Sequence, residues 1–286
     1  MTTQAPRIVV GVDGSGRADG AVRAAFQLGR RIDARVELLH VAEVPHPLWQ
    51  SLSEDDLREA RERTVARLAA AVADLGVFPE QVREALAVRP GVPARELVAA
   101  SEGADWVFVG AHHREGAFDF GNNLRGLLAR THCPVWVQPG EYRDVTRVRA
   151  ASDLSERAPR VLAAARDAAL ALRVPVEVTH VFSRPDLGYV LGYPVPFPEA
   201  VVTHAREAAE EGLARSARAI DWCGLKPTSE LLEGDAASEL LRHHTDDQLL
   251  VLGAHGHTGL LEAILGSVAR RVLAEAKGPL VLVRAD

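Results

Sequence analysis

Residues 253–267 read Gly253-Ala254-His255-Gly256-His257-Thr258-Gly259-Leu260-Leu261-Glu262-Ala263-Ile264-Leu265-Gly266-Ser267. They lie between the apolar run Leu249–Leu252 and a helical pattern that begins at Val268. A short buried strand, a glycine-rich loop and a helix start are suited to holding phosphate. Glycines let the backbone turn sharply and approach a ligand closely, and the free N–H groups at a helix start supply donors and a partial positive charge. The skeleton is Gly, two residues, Gly, nine residues, Gly-Ser. The loop contains no lysine, so the charge of a bound phosphate chain falls to backbone amides, the helix dipole, a cation, or the accessory candidates His255 and His257. The pattern is not Gly-x4-Gly-Lys-(Ser/Thr), which disfavours a P-loop NTPase.

The elements that must carry this loop are written twice. The first copy opens Arg7-Ile8-Val9-Val10-Gly11-Val12-Asp13-Gly14-Ser15 and the second Arg147-Val148-Arg149-Ala150-Ala151-Ser152-Asp153-Leu154-Ser155. Each reads as a strand ending in Asp-x-Ser, a good helix cap. Asp13 precedes His40 by as many residues as Asp153 precedes His180, and both histidines close apolar runs. Gly110 then matches Gly253, so the copies stay in step to within a few residues of loop.

Hydrophobic periodicity places first-copy strands at 7–13, 35–42, 82–88, 106–109 and 134–137, with helices at 18–31, 53–75, 94–101 and 122–130. Leu57, Ala60, Thr64, Leu68, Ala71 and Leu75 mark one face of the second helix, and Ser53-Glu54-Asp55-Asp56 reads as its capping box. Second-copy strands fall at 147–152, 175–181, 228–233, 248–253 and 279–284, with helices at 157–171, 198–222, 236–243 and 267–275. Strands alternating with helices imply parallel β with right-handed crossovers. The expectation is an α/β chain of two five-stranded open-sheet domains, 1–143 and 144–286, linked near Glu141–Thr146. In such sheets ligands bind beyond the C-terminal strand ends, where strand order reverses, which brings Asp153 and the 253–267 loop to one crevice.

Composition limits the partners. Of 286 residues, 47% are hydrophobic and 25% charged, which fits a folded globular chain. The formal charge of −6 argues against a nucleic-acid surface. No apolar run is long enough for a bilayer and the start has no signal-peptide core, so a cytoplasmic protein without a membrane partner is expected. Cys133 and Cys223 are far apart, which fits a reducing compartment and buried thiols.

Together these residues resemble the universal stress protein family in its tandem form. The carriers are Val12-Asp13-Gly14-Ser15, Ser152-Asp153-Leu154-Ser155, Leu39-His40-Val41, Thr179-His180-Val181 and the Gly253…Gly256…Gly266-Ser267 loop. The resemblance implies two tandem Rossmann-like, adenine-nucleotide-binding domains that form a pseudo-dimer through their last strands. Val135, Val137, Leu280 and Leu282 suit that burial, and further homodimerisation is expected. The ligand implied is ATP, with magnesium carried through the phosphates and no metal ligand from the protein. Residue by residue, it implies Ala151, Ser152, Asp153 and Val181 for the base, and Leu252, Gly253, Gly256, Gly266, Ser267 and Val268 for ribose and phosphates. Neither first loop reads Ser-Gly-Gly-x-Asp-Ser, as in the ATP pyrophosphatases that share this fold.

The first copy departs from the pattern. Its loop has His113 at the second glycine, seven residues between His113 and Gly121 instead of nine, and Asn122 in place of Ser/Thr. A Cβ at 113 would crowd a phosphate, so this half is expected to bind ATP weakly or not at all, with Asp13, Gly110 and Gly121 surviving as structural positions. Outside the loops, His40 and His180 read as satisfied structural histidines. The pairs His112-His113 and His243-His244 read as solvated surface, and the Glu207–Glu211 run as a solvated helix face. The apolar stretch 189–198 reads as a loop: a lid, a partner contact or domain packing. Three functions follow from the sequence: an ATP-binding regulator without catalysis and with an unknown protein partner, a slow ATPase or phosphotransferase using His255, His257 or Glu262, and a nucleotide-free interaction module.

Overall fold

The computed structural model describes residues 5–42, 53–110, 121–184, 186–190, 193–196, 198–254 and 265–284, with the backbone alone at 57, 60, 121–122, 186–190 and 193–196. In the first half, β1 (Arg7–Val12) leads to α1 (Asp19–Ile32), β2 (Arg35–Ala42), α2 (Glu54–Val72), α3 (Pro79–Ala85), β3 (Leu86–Pro90), α4 (Pro93–Ser101), β4 (Trp106–Gly110), α5 (Gly121–Leu128) and β5 (Val135–Gln138). The second half repeats the order with β6 (Arg147–Ala151), α6 (Ala158–Leu172), β7 (Val176–Phe182), a hairpin of β8 (Asp186–Val190) and β9 (Tyr193–Pro196), α7 (Glu199–Arg218), β10 (Thr228–Glu233), α8 (Ala236–Arg242), β11 (Gln248–Gly253), α9 (Ser267–Glu275) and β12 (Leu280–Val283). None of these helices is long and apolar enough to cross a membrane.

The two halves share one ten-stranded sheet, ordered β10-β7-β6-β11-β12-β5-β4-β1-β2-β3. Every pairing in it is parallel except β12 with β5, where the halves meet antiparallel through Leu280↔Val137, Val281↔Trp136 and Leu282↔Val135. The last strands therefore form the pseudo-dimer seam. The inner strands β4, β5, β11 and β12 are near-continuous apolar runs because helices cover both faces. Trp136 lies at the seam, stacked on Phe108 with ring centroids 4.9 Å apart. Across it, Arg31 Nη1 of α1 donates to the Leu172 carbonyl of α6 at 2.7 Å. In each half the strand order reverses beside the first strand, with β1 between β4 and β2, and β6 between β11 and β7.

Several sequence expectations change. The strand expected at 82–88 is split: Pro79 starts α3, Gln81 caps it by accepting from the Phe78 N–H, and the strand begins only at Leu86. The capping box at Ser53 forms, but α2 buries Val65, Leu68, Ala69 and Val72, a face rotated from the one expected. The helix expected over 198–222 ends at Arg218, and Trp222 Nε1 then donates to the Ala217 carbonyl. The apolar stretch read as a loop contains the β8–β9 hairpin, paired in an antiparallel ladder.

The aspartates after β1 and β6 do not cap helices. Asp13 Oδ1 accepts from Ser15 N at 2.9 Å, and Asp153 Oδ1 accepts from Ser155 N at 3.0 Å. These are side-chain-to-backbone bonds two residues on, so each Asp-x-Ser closes a local turn. The helices start six and five residues after these aspartates, at Asp19 and Ala158.

Candidate nucleotide site

A cavity of about 370 Å³ opens at the C-terminal ends of β6, β7 and β11. Nine of the residues picked out by sequence line it together: Ala151, Ser152, Asp153, Val181, Leu252, Gly253, Gly266, Ser267 and Val268. The tenth, Gly256, lies outside the described residues, as do His255, His257 and Glu262. Strand order is what gathers them. β6 lies between β7 and β11, so the ends of all three strands surround the start of α6, and α9 begins at Ser267 on the far rim. The Ala254 carbonyl receives the Gly266 N–H at 2.8 Å, which ties the two ends of the loop together. The first residues of α9, Ser267 and Val268, line the cavity, and amides at a helix start are a favourable environment for an anion.

The polar groups of the cavity are held by local bonds. Ser152 Oγ accepts from the Leu154 N–H at 3.2 Å and lies 3.2 Å from Ser216 Oγ. His180 Nδ1 lies 2.8 Å from the Ser152 carbonyl, which makes this histidine structural, and His40 repeats the bond to Val12 at 2.9 Å. Sequence reading missed Arg157, Thr179, Ala236 and Leu240, which also line the cavity. Arg157 was legible through the repeat, because Arg17 stands at the matching position; Ala236 and Leu240 reach the cavity only through the tertiary placement of α8. Among the described residues no group of three or more His, Cys, Asp or Glu is placed to hold a metal ion.

A second cavity, about 390 Å³, opens at the matching place in the first half. It is lined by Asp13, Arg17, His40 and Asn123, and by apolar side chains including Leu39, Val41, Leu97, Val109, Leu124 and Leu127. Leu39 stands where the second half has Thr179, Val12 where it has Ser152, and Leu124 where it has Ala269. Asp13 Oδ2 accepts from Arg17 Nη2 at 2.9 Å and from Arg17 Nε at 3.2 Å, while Oδ1 serves Ser15. Burial works to raise the Asp13 carboxyl, but hydrogen bonds from Ser15 and the Arg17 guanidinium outweigh it and hold the group below the ordinary carboxylate value. Both oxygens are thus occupied. Gly110 is structural: a Cβ there would lie 2.3 Å from the Arg17 carbonyl oxygen and 2.6 Å from Ala18 Cα. The Gly121 backbone opens α5; the Asn122 side chain, His112 and His113 lie outside the described side chains.

Three further side chains depart from or fill out the sequence reading. Cys133 is buried, but Cys223 is exposed in a turn with φ of 51°. His244 is not solvated surface: its ring nitrogens are sealed from water without a well-aligned hydrogen bond, beside the Gly278 backbone and the Gln248 side chain. Burial pushes its pKa down, and nearby Arg149 pushes the same way. Arg149 is itself 4% exposed and paired with Glu177 at 2.8 Å and Glu230 at 3.1 Å. The Arg206–Glu210 and Arg215–Glu211 pairs lie on an exposed face of α7, as expected of that charge run.

The universal stress protein family model matches residues 5–139 and again residues 145–284. A universal stress protein of Mycolicibacterium smegmatis is 27% identical over 293 residues, covering 97% of this chain and 96% of its own. One from Synechocystis is 24% identical over 166 residues, 57% of this chain and 51% of that protein. Among solved structures, a universal stress protein from Archaeoglobus fulgidus superposes with a TM-score of 0.64 at 17% identity, over 99% of this chain and 100% of that one, a likeness of fold.

Proposed function

The chain belongs to the universal stress protein family, and from that premise we propose that it is an ATP-binding stress-response regulator with one competent nucleotide site, in its C-terminal half. One observation carries this reading: residues at the ends of β6, β7 and β11 and the start of α9, which the family resemblance implies for the ligand, line a single cavity. A volume of about 370 Å³ is in the range of small-molecule and cofactor sites. Asp153 supplies an acceptor for a ribose hydroxyl or an exocyclic amine, Val181 a strand-end backbone for the base, and Gly253, Gly266 and Ser267 a wrap for phosphates. Magnesium enters on the phosphates, as the family resemblance implies.

Binding rather than turnover is the proposed activity, because the loop carries no P-loop lysine. Occupancy stabilises the C-terminal half by linkage, about 2.7 kcal/mol at a hundredfold excess of ligand over Kd, and a homodimer or a regulatory protein reads that state. Calorimetric titration of ATP into the full chain tests the site. We expect one ATP per chain and at least tenfold weaker binding in the Gly256→Ala/Ser267→Ala double variant. Unchanged affinity in that variant removes the site assignment, two ATP per chain contradicts the silent first half, and no binding favours a nucleotide-free interaction module. Phosphate release that exceeds the protein-free rate and disappears in His255→Ala and His257→Ala variants would make it a slow ATPase.

A further inference from the structure

We propose that Arg157 compensates the charge of the phosphate chain in the C-terminal cavity, and so sets a preference for ATP over adenosine. This rests on the nucleotide reading above and adds to it a residue that the glycine-loop pattern does not contain.

A nucleoside triphosphate carries several negative charges into a protein whose formal charge is already −6. The loop has no lysine. Among the described residues that line the cavity, Asp153 and Arg157 are the ones that carry charge. His180 uses its Nδ1 on the Ser152 carbonyl. Arg157 is therefore the cation at hand.

Its position fits the phosphate end. Arg157 immediately precedes α6, which starts at Ala158. In the first half, the matching arginine stands against the first loop glycine, since a Cβ on Gly110 would meet the Arg17 carbonyl oxygen at 2.3 Å. Gly253 is the repeat of Gly110, and Arg157 and Gly253 line the same cavity. The arginine thus lines one cavity with the first loop glycine and the α9 start, where a phosphate chain would meet donors from both.

The two arginines are used differently. The Arg17 guanidinium is forked onto Asp13 through Nη2 and Nε. Arg157 has its backbone N–H on Ser155 Oγ at 3.3 Å, and among the described residues its exposed guanidinium makes no ion pair. A free fork of N–H donors on the rim matches phosphate oxygens in pairs, as an ammonium would not.

The experiment is titration of ATP, ADP and adenosine into the full chain and its Arg157→Gln, Arg157→Lys and Arg17→Gln variants. For Arg157→Gln we expect about tenfold weaker ATP binding, in line with loss of a partly solvated charge-assisted hydrogen bond, and adenosine binding within twofold of wild type. Arg157→Lys recovers part of the loss, the salt dependence of ATP binding becomes shallower in Arg157→Gln, and Arg17→Gln leaves ATP affinity unchanged. Wild-type ATP affinity in Arg157→Gln, with binding otherwise intact, overturns the assignment and leaves the nucleotide site standing. Equal losses for ATP and adenosine also overturn it, since they mean a packing role. Failure of the wild-type chain to bind ATP overturns both readings.

Discussion

The two cavities occupy the same place in the repeat and have nearly the same size, about 390 and 370 Å³, yet their walls differ in kind. In the second half, Ser152 and Thr179 put hydroxyl-bearing residues at the strand ends; in the first, Val12 and Leu39 take their places. Asp13 is bound on both oxygens by Ser15 and Arg17. A crevice at the reversal of strand order is thus a product of topology and persists when its lining changes. The chemistry has to be added residue by residue, so equal cavities in one chain do not imply equal ligands.

The same contrast runs through the far end of the sheet, and the largest expected effect lies there. Arg149 is buried with Glu177 and Glu230, while the first half has Val9 at that position and serves Glu37 from Arg7 at 2.8 Å. Copying the first half with Arg149→Val leaves two carboxylates beneath α8 without their cation. We expect a loss of about 3 kcal/mol of unfolding free energy, moderated because Glu230 is partly exposed, as measured by urea denaturation. Next in size is Gly110→Ala. Its Cβ meets backbone atoms of Arg17 and Ala18 that cannot rotate away, so a loss of about 2 kcal/mol is expected with no change in ATP stoichiometry. A change in stoichiometry would return Gly110 to the ligand loop and narrow the contrast between the halves.

How much of this was legible in sequence follows from the range of each signal. The repeat, the helix-strand alternation and the apolar runs of β4, β11 and β12 are local patterns and mark the strands of each half, whereas the seam at Val135, Val137, Leu280 and Leu282 followed from the family resemblance. Glycine spacing located Gly253, Gly266 and Ser267 because a turn leaves a local signature. Thr179, Ala236 and Leu240 were missed because only the placement of β7 and α8 around α6 brings them to the cavity. His244 was misread for a similar reason. A histidine pair at the end of a short helix looks solvated until Gly278 yields the space: a Cβ on Gly278 would lie 2.9 Å from His244 Nε2. The split of the expected 82–88 strand has a local cause: Pro79 starts a short helix just ahead of it.

The third prediction uses His244, which has Ser101 as its counterpart in the first half. Burial and Arg149 lower its pKa in the folded chain, against the weaker opposing pull of Gly278, Gln248 and Asp246. The unfolded histidine titrates near its ordinary value of about 6.5. Above that pH both states are neutral and His244 contributes no pH dependence. As pH falls through it, the unfolded chain takes up a proton that the folded chain refuses, so stability declines until the folded value is reached. One proton limits the slope to about 1.4 kcal/mol per pH unit. Urea midpoints between pH 7 and pH 5 measure it, and His244→Gln should flatten the part of the curve that this residue supplies. An unchanged curve in the variant would show that the buried ring titrates as it does in the unfolded chain.

The smallest effect concerns the pair that most clearly separates the two sites. Arg17 and Asp13 are each about half exposed, at 47% of the side chain, so their ion pair is largely screened and Arg17→Gln should cost less than about 1 kcal/mol. The Asp13 carboxyl is held below its ordinary value partly by this arginine. Its share of stability is present above the unfolded carboxylate value and is lost as pH falls through the lower folded one, so Arg17→Gln should trim stability at neutral pH and leave it unchanged in strong acid. The variant also frees one Asp13 oxygen, and an ATP titration then tests whether Arg17 closes the first cavity to nucleotide. If Arg17 alone closed that site, a second ATP would bind. The expected result is still one ATP per chain, because freeing Asp13 does not restore the hydroxyls replaced by Val12 and Leu39 or lengthen a loop two residues short of the nucleotide pattern. A second equivalent of ATP in Arg17→Gln would reduce the difference between the halves to one rotatable guanidinium.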